Sequence, residues 1–346
     1  RVLRPCFRQH VPVAGVAAAA AAGALAWDWS TEGDKRGGGF APNHARSWRR
    51  STLTGRRPSS VSCEAAPRVA VCGDIFVDVM AKVNGLPAWD ADTEAAFVKV
   101  LPGGSALNQA RTMHALGLDV RFLGALGDDS FGEMLTKHVE AQGFSMRFVK
   151  LFRGLPSSVC LVLAGPSDRA FVSCYSTTDA FAACDLEERE REAFEGCSHF
   201  HIGGYFNLKG LMNPGLTGVV KRCKANGMSV SLNTQYDATE QWTGAGGHLR
   251  ELLPMLDFLF VNEVEAGLLS AKLLGSAATE AASGDAGSPA RLCAAFPNLT
   301  VVMTKGKEGV DILRHGRSTI AVPTQPTERV VDATGAGDAF IGGFLS

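Results

Sequence analysis

From Arg68 onward, the apolar residues of the chain follow two alternating patterns. Short, valine-rich runs predict buried β-strands, and apolar residues spaced three and four positions apart predict helices between them. Strands separated by helices indicate βαβ crossovers and a mostly parallel sheet that is covered on both faces. We predict strands at 69–79, 120–123, 199–204, 228–232, 257–261, 299–304, 308–313 and 318–322, and helices at 105–116, 130–142, 210–225 and from Glu263 onward.

Three local signals refine this pattern. Residues 158–163 and 170–175 alternate apolar and polar positions around a Gly-Pro-Ser-Asp turn, which predicts a β-hairpin. Ser130 and Glu133 have the spacing of a capping box, so the helix they precede is expected to begin there. His199 and His201 alternate along one strand, and we interpret them as structural residues on opposite faces rather than as ligands of one metal ion.

The first 66 residues differ in composition from the remainder. They hold ten Lys and Arg against four Asp and Glu, and the segment between Lys35 and Cys63 has no acidic residue. The alanine-rich stretch at 11–27 is shorter than the roughly 20 apolar residues of a membrane span. We therefore predict that 1–66 is a targeting extension for a plastid or mitochondrion, with a disordered tail on a cytoplasmic protein as the alternative.

The charge and cysteine content of the chain exclude several classes of protein. Its 34 basic and 35 acidic residues give a net charge of −1, whereas a dedicated nucleic-acid binder needs a basic excess. The nine cysteines form no C-x-x-C pair, which argues against a zinc or disulfide framework. We expect a small-molecule partner, no nucleic acid, and no membrane association of the mature protein.

The segment 330–344, VVDATGAGDAFIGGF, has the pattern of a strand end, a glycine-rich turn and an apolar helix. Gly335, Ala336 and Gly337 would expose consecutive N–H groups at a helix N-terminus, an arrangement that binds phosphate. The helix dipole would keep Asp338 ionised in the first turn. Such a carboxylate accepts a proton from an alcohol that attacks the phosphate, although an ordinary helix cap is the alternative.

This string closely resembles the signature of the ribokinase-like (PfkB) carbohydrate kinases, although Ala333 stands where Thr is common. The resemblance implies an α/β fold: a three-layer sandwich with a mostly parallel central sheet and a small β lid, here near 84–101 and 158–175. It spans 67–346, which we predict to be one kinase domain. Members of the family continue with further helices, so we expect this domain to be incomplete at its C-terminus.

Two further segments match the substrate site of these kinases. In PGGSALNQAR, Gly103 and Gly104 permit close approach of a ligand to the backbone, and the resemblance implies that Gly104 and Asn108 contact a sugar. Asp78 matches the family's hydroxyl-binding aspartate on the first strand. Ser105 and Phe76 replace a lysine and an asparagine of ribokinases proper, which weakens the case for ribose.

The nucleotide site is predicted from two other motifs. Asn262 and Glu265 lie three residues apart at a helix start and match the family's N-x-x-E element, so Glu265 is expected to bind Mg²⁺ through water. An N-cap function for Asn262 is compatible with this interpretation. Thr304, Gly306 and Gly309 match the T-x-G-x-x-G loop that lies at the nucleotide.

Together these motifs predict ATP- and Mg²⁺-dependent phosphorylation of a hydroxyl group of a small sugar. Asp338 is the predicted general base, and the Gly335–Gly337 amides are the predicted anion hole. A nucleoside kinase of the adenosine type is the first alternative, and a catalytically silent interaction module in an organelle is the second. The resemblance also leads us to expect a homodimer formed through the lid.

Overall fold

The computed structural model describes residues 66–166, 168–275, 288–325 and 333–346. Residues 1–65 of the predicted targeting extension lie outside the described residues. Asp332, in the segment before the glycine-rich turn, also lies outside them. Within the described ranges, no helix combines the length and the apolar composition that a bilayer crossing requires.

An eight-stranded, mostly parallel sheet forms the centre of the molecule, which confirms the predicted α/β sandwich. Its strand order is β14-β13-β12-β11-β10-β9-β1-β4, and only the pairings of β13 with β12 and β14 are antiparallel. The strands are β1 (Arg68–Gly73), β4 (Asp119–Leu123), β9 (His199–Gly203), β10 (Ser229–Asn233), β11 (Phe258–Asn262), β12 (Thr300–Thr304), β13 (Val310–Arg314) and β14 (Ile320–Val322).

Helices cover both faces of this sheet. Those in the described residues are α1 (Ser105–Ala115), α2 (Ser130–Glu140), α3 (Ser176–Ala180), α4 (Ala183–Ala193), α5 (Pro214–Ala225), α6 (His248–Leu252), α7 (Glu263–Leu274), α8 (Pro289–Ala295) and α9 (Ala336–Phe344). The helices α4 to α8 enclose one large apolar core with the sheet. On the opposite face, α1 and α2 pack over β1 and β4, while α9 packs over β11 to β13.

A four-stranded sheet, the lid sheet, projects from the carboxyl end of the central sheet. It consists of β2 (Phe76–Lys82), β3 (Phe97–Gly103), β7 (Val159–Ala164) and β8 (Arg169–Cys174), in the order β3-β2-β7-β8. A small parallel pair, β5 (Ala125–Gly127) and β6 (Lys150–Phe152), lies apart from it. The second predicted lid segment forms the β7–β8 hairpin, whereas residues 84–96 of the first form neither helix nor strand.

Three details of the sequence prediction are wrong. The run 69–79 is two strands in different sheets, because the chain turns at Asp74 and Ile75. The cap of α2 is Asp129, whose Oδ1 accepts a hydrogen bond from the Gly132 N–H at 2.8 Å, so Ser130 begins the helix rather than capping it.

The third error concerns the two histidines of β9. His199 and His201 point to the same face of the sheet, because residues i and i+2 of a strand share a face. Both of them contact the hydroxyl of Ser231 on the neighbouring strand β10 at 2.7 Å. They therefore form one buried polar group in the layer beneath α1.

Helices α1 and α9 approach each other closely at a glycine. A Cβ atom on Gly342 would lie 2.6 Å from the Thr112 Cβ and 2.9 Å from the backbone oxygen of Gln109. Only a residue without a side chain fits between the two helices at this distance. Because Asp338 lies one turn before Gly342 on the same face of α9, this contact places its side chain against α1.

We predict that Gly342→Ala lowers the free energy of unfolding by about 1–3 kcal/mol, because the added methyl group forces the two helices apart. Urea unfolding monitored by circular dichroism measures this change. Gly218→Ala in α5 is the matched control, since its Cβ would meet only the end of the Arg222 side chain at 3.3 Å. Equal stability of the Gly342→Ala variant and the unaltered protein would contradict the proposed steric constraint.

Candidate functional site

The residues predicted to bind the substrate meet at the N-terminus of α1. Gly104 precedes this helix with φ 97°, and a Cβ there would lie 2.5 Å from the Asp74 backbone oxygen. Because a glycine cannot cap the helix with a side chain, Asp74 does so: its Oδ1 accepts a hydrogen bond from the Ala106 N–H at 2.7 Å. Its Oδ2 accepts a hydrogen bond from Asn207 Nδ2 at 2.9 Å. Asp74 thereby connects the end of β1 to the start of α1.

The carboxylate of Asp338 lies against the first turn of α1. Its Oδ1 accepts hydrogen bonds from Ser105 Oγ at 2.5 Å and from Gln109 Nε2 at 3.0 Å. Its Oδ2 faces Asn108 Nδ2 at 3.3 Å. Asn108 and Asp338, which lie 230 residues apart in the sequence, are thus brought together by the packing of α1 on α9.

The expectation that the helix dipole keeps Asp338 fully ionised is wrong, because desolvation raises the pKa of Asp338 to about 7 and the negative charge of Asp74 adds to this effect. The hydrogen bonds from Ser105, Asn108 and Gln109 act in the opposite direction, because they stabilise the ionised form. A carboxylate with a pKa near neutrality is able to hold or release a proton at physiological pH.

Asp78 adds a second carboxylate with the same property. Burial, followed by the charge of Asp74, raises its pKa to about 7. Its carboxyl group packs against Gly103, where a Cβ would lie 2.2 Å from the Asp78 Cγ. Within the described part of the chain, no side chain donates a hydrogen bond to it. The charge of Asp74 therefore acts on two desolvated carboxylates, and Asp78 is the one whose oxygens are left to accept hydrogen bonds from a ligand.

The glycine-rich turn lies at the N-terminus of α9, as the sequence predicts. Gly335 adopts φ 73° and is the N-cap, and the first helical hydrogen bond runs from the Ala339 N–H to the Gly335 oxygen at 2.8 Å. The Ala336 N–H donates to the Ala333 oxygen at 3.2 Å, within the turn. The Gly337 N–H precedes the first helical hydrogen bond of α9 and contributes to the positive end of the helix dipole.

Asn262 and Glu265 cap α7 reciprocally. Asn262 Oδ1 accepts from the Glu265 N–H at 2.9 Å, while Glu265 Oε2 accepts from the Asn262 N–H at 3.1 Å. Glu265 Oε1 also accepts from Asn262 Nδ2 at 2.9 Å. The capping interpretation of Asn262 is therefore correct. Burial raises the pKa of Glu265, and its hydrogen bonds with Asn262 and Thr234 oppose this.

The remaining residues of the predicted nucleotide site lie beside this cap. Thr304 ends β12 and is paired in register with Asn262 at the end of β11. Gly306, at φ 53°, and Gly309, at φ 102°, form the turn into β13. A Cβ on Gly309 would lie 2.0 Å from the Val322 oxygen, so this glycine is required by packing alone. The side chain of Lys305 pairs with Asp311 at 3.2 Å.

Two consecutive residues at the end of β10 connect the two halves of the site. Asn233 Oδ1 accepts a hydrogen bond from Gln109 Nε2 of α1 at 3.0 Å and lies 3.2 Å from Ser105 Oγ, whose hydrogen is donated to Asp338. The next residue, Thr234, donates to Glu265 Oε2 at 3.4 Å. The sequence analysis did not single out these residues, because no local motif marks the strand end.

A further residue missed by the sequence analysis comes from the lid sheet. The guanidinium of Arg169, at the start of β8, donates to the Thr334 hydroxyl in the glycine-rich turn. This contact brings a positive charge to the turn predicted to bind phosphate. A basic residue after a turn in a hairpin carries no functional signal in one sequence, so only the tertiary contact reveals it.

The surroundings of Glu265 fit a hydrated magnesium ion. Three donors orient its buried carboxylate, and no cluster of three His, Cys, Asp or Glu side chains suited to a metal occurs in the described residues. Mg²⁺ commonly retains several waters and uses one or two carboxylates together with substrate phosphates. A single oriented carboxylate suits contact through water rather than an all-protein cage.

Comparison with known proteins identifies the family of this chain. The model of the pfkB family carbohydrate kinases matches residues 66–346. The chain belongs to this family. As a pfkB family kinase, it is a phosphotransferase that acts on a hydroxyl group of a sugar or nucleoside.

Individual relatives agree with this assignment. Adenosine kinase 2 of Arabidopsis thaliana is 26% identical over 275 residues, which cover 78% of each chain. The ribokinase of Giardia lamblia superposes with a TM-score of 0.64 at 20% identity, over 80% of this chain and 81% of that one. The adenosine kinase of Anopheles gambiae gives 0.65 at 22% identity, over 80% and 88%. The two solved structures share the ribokinase-like fold of this pfkB family kinase.

We predict that Asp78→Asn stabilises the free protein by roughly 1 kcal/mol at pH 8, because it removes a desolvated charge. The pKa of Asp78 is raised in the folded state, so the folded state binds more protons and stability falls as the pH rises from about 4 to about 7. The gain should therefore diminish towards pH 5. Thermal unfolding at both pH values measures it.

Asp92→Asn is the matched control, because Asp92 is exposed and lies in a loop. This substitution should leave the melting temperature unchanged at both pH values. A loss of stability in Asp78→Asn at pH 8 would contradict the interpretation of Asp78 as an unpaired buried acceptor.

Proposed function

We propose that the protein transfers the γ-phosphoryl group of ATP to a hydroxyl group of a small sugar, with Asp338 as the general base. The observation that carries this proposal is the position of the Asp338 carboxylate, which is hydrogen-bonded to the first turn of α1 and lies in the first turn of α9. A base with a pKa near 7 is matched to accepting a proton from an alcohol at neutral pH.

In this proposal Asp78 and Asn108 bind hydroxyl groups of the acceptor, and Gly103 and Gly104 allow its close approach to the backbone. Asp338 accepts the hydroxyl proton as the acceptor oxygen bonds to the γ-phosphorus, and the bond to the ADP oxygen breaks. The protein contributes mainly position and electrostatic stabilisation.

The nucleotide half of the site supplies charge stabilisation. The turn formed by Gly335, Ala336 and Gly337 binds the transferring phosphoryl group in the manner of an anion hole, through the N–H groups of Gly335 and Gly337, because that of Ala336 is engaged within the turn. Thr304, Gly306 and Gly309 line the nucleotide, and Asn262 orients Glu265. Glu265 would hold water molecules of a bound Mg²⁺, which would neutralise charge on the phosphates.

A nucleoside is the second candidate acceptor, and the similarity to Adenosine kinase 2 of Arabidopsis thaliana favours it. An aromatic pair supports this alternative. Phe76, on the same face of β2 as Asp78, packs edge-on against Tyr175 with their ring centroids 5.6 Å apart. Phe76 is buried and Tyr175 is half-buried, so the Tyr175 ring is the part of this pair that would contact a base attached to a sugar.

Two further expectations belong to this proposal. The outer face of the lid sheet carries a cross-strand row of apolar residues, Val100, Val79, Leu161 and Val172, which the expected homodimer would bury. Three of them are 41–59% exposed in the single chain.

Residues 1–66 remain the predicted organellar targeting segment.

We predict that Asp338→Asn lowers turnover by about a hundredfold or more, because the amide cannot accept the proton. ATP binding should be nearly unchanged, since the change leaves the Asn262–Glu265 cap intact. An assay of ADP release measures turnover, and calorimetry with ATP measures binding. Asp92→Asn serves as the control, and undiminished turnover of Asp338→Asn would refute the assignment of the base.

The acceptor class is tested with ATP, Mg²⁺ and a panel of ribose, fructose, adenosine and inosine. We expect one class of acceptor to stimulate ADP release and to appear as a phosphorylated product in mass spectra. Stimulation by adenosine or inosine alone would favour the nucleoside candidate. Absence of both ATP binding and acceptor-dependent ADP release would favour the silent interaction module instead.

A further inference from the structure

A chain of buried hydrogen bonds runs through the central sheet beneath Asp338. His199 and His201 of β9 lie in register with Ser229 and Ser231 of β10, on the face covered by α1. The Ser229 hydroxyl contacts His199 Nδ1, the Ser231 hydroxyl contacts His199 Nε2, and the same hydroxyl contacts His201 Nδ1, each at 2.7 Å. This polar chain interrupts the apolar face between two separate hydrophobic clusters.

The chain ends at Gln109, whose side chain reaches the proposed base. Gln109 Oε1 lies 2.7 Å from His201 Nε2, and Gln109 Nε2 lies 3.0 Å from Asp338 Oδ1. Both Gln109 and His201 are 0% exposed, so water cannot replace either contact. A Cβ on Gly203 would lie 2.5 Å from Gln109 Oε1. The Gln109 amide therefore packs against the end of β9 only because residue 203 has no side chain.

The orientation of the Gln109 amide follows from its neighbours. Asn233 Nδ2 donates to the backbone oxygen of Phe260 at 3.2 Å, which turns Asn233 Oδ1 towards Gln109 at 3.0 Å. Asp338 Oδ1 is a second acceptor on the same side. Two acceptors require the NH₂ group of Gln109 to face them, because an oxygen there would be repelled by both. Gln109 Oε1 therefore faces His201.

This orientation determines the tautomer of each histidine. Because Gln109 Oε1 only accepts, His201 Nε2 carries the proton, and its Nδ1 accepts from the Ser231 hydroxyl. The Ser231 oxygen then accepts from the His199 Nε2–H, and His199 Nδ1 accepts from the Ser229 hydroxyl. Every link has one donor and one acceptor, and all donors point in the direction of Asp338.

We propose that His201 is a positioning residue for Asp338: its Nε2–H holds the Gln109 amide so that the NH₂ group faces the carboxylate. This inference rests on the proposed function of Asp338 as the base. The primary amide of Gln109 does not relay protons as an imidazole does, so the chain orients the carboxylate and does not carry protons to it. The effect on Asp338 is to stabilise its ionised form.

The charges around these groups agree with this role. Burial, and then the neighbouring His199, lowers the pKa of His201 well below its usual value, so the ring is neutral and keeps one donor and one acceptor. Burial lowers the pKa of His199 to about 4. The charged group that acts on Asp338 from the neighbouring strand end is Asp74, which raises the pKa of Asp338, whereas Gln109 opposes it.

The test is the titration of the Asp338 carboxyl carbon by ¹³C NMR, assigned from its loss in Asp338→Asn. Removing the donor with His201→Phe frees the Gln109 amide, and we expect the midpoint of Asp338 to rise by about one to two pH units. Gln109→Leu should raise it to a similar extent. The double variant should show no further rise beyond Gln109→Leu, because His201 acts through that residue.

The matched control is His248→Phe. His248 is also buried and also makes two hydrogen bonds, with Tyr205 and Thr217 at 2.9 Å, but it lies apart from the Asp338 network. This variant should leave the midpoint of Asp338 where it is. A general loss of structure would alter both histidine variants, whereas a positioning role alters only His201→Phe.

A second measurement does not depend on any substitution. ¹⁵N NMR of the unaltered protein should show His201 as a neutral Nε2–H tautomer between pH 5 and 8. An Nδ1–H tautomer, or an unchanged midpoint of Asp338 in a folded His201→Phe variant, would overturn the positioning role. These readouts need no acceptor, so they are distinct from the turnover of Asp338→Asn, which tests whether Asp338 is the base.

Discussion

The close contact between α1 and α9 determines the geometry of this site. α1 carries Ser105, Asn108 and Gln109 on one face, and α9 carries Asp338 one turn before Gly342. Because Gly342 lies directly against Thr112 and the Gln109 backbone, the helices approach until the Asp338 oxygens reach hydrogen-bond distance of α1. This packing brings the proposed acceptor-binding residues of α1 against the proposed base on α9.

The same packing creates a site that is costly for the free protein. Asp74, Asp78 and Asp338 are brought into one desolvated region, and the pKa values of all three are raised. Asp74 is satisfied by the start of α1 and by Asn207, whereas Asp78 has no donor in the described part of the chain. Asp78 is thus a desolvated acceptor, which is the property that the proposed binding of a hydroxyl group would use.

A chain of hydrogen-bonded polar side chains on β9 and β10 also lies in the interior, beneath α1. Residues that face an apolar helix layer are normally apolar, yet His199, His201 and Ser231 occupy that face next to Gln109. Each is fully hydrogen-bonded, which satisfies the requirement for burial of polar groups. The interior of the sheet therefore supports a carboxylate at its edge rather than serving only as packing.

The sequence by itself determined the α/β class, the positions of most strands along the chain, the N-cap at Asn262 and the glycine-rich turn with Asp338. These features depend on residues close together in the chain, so spacing and residue type are sufficient. It could not place β2 in the lid sheet or His199 beside His201 in one hydrogen-bonded chain. Nor did it indicate Asp74, Gln109, Asn233 and Arg169, whose partners lie far away in sequence. Their roles arise from contacts between distant segments, and only the packing of α1, α9 and the two sheets decides which side chains meet.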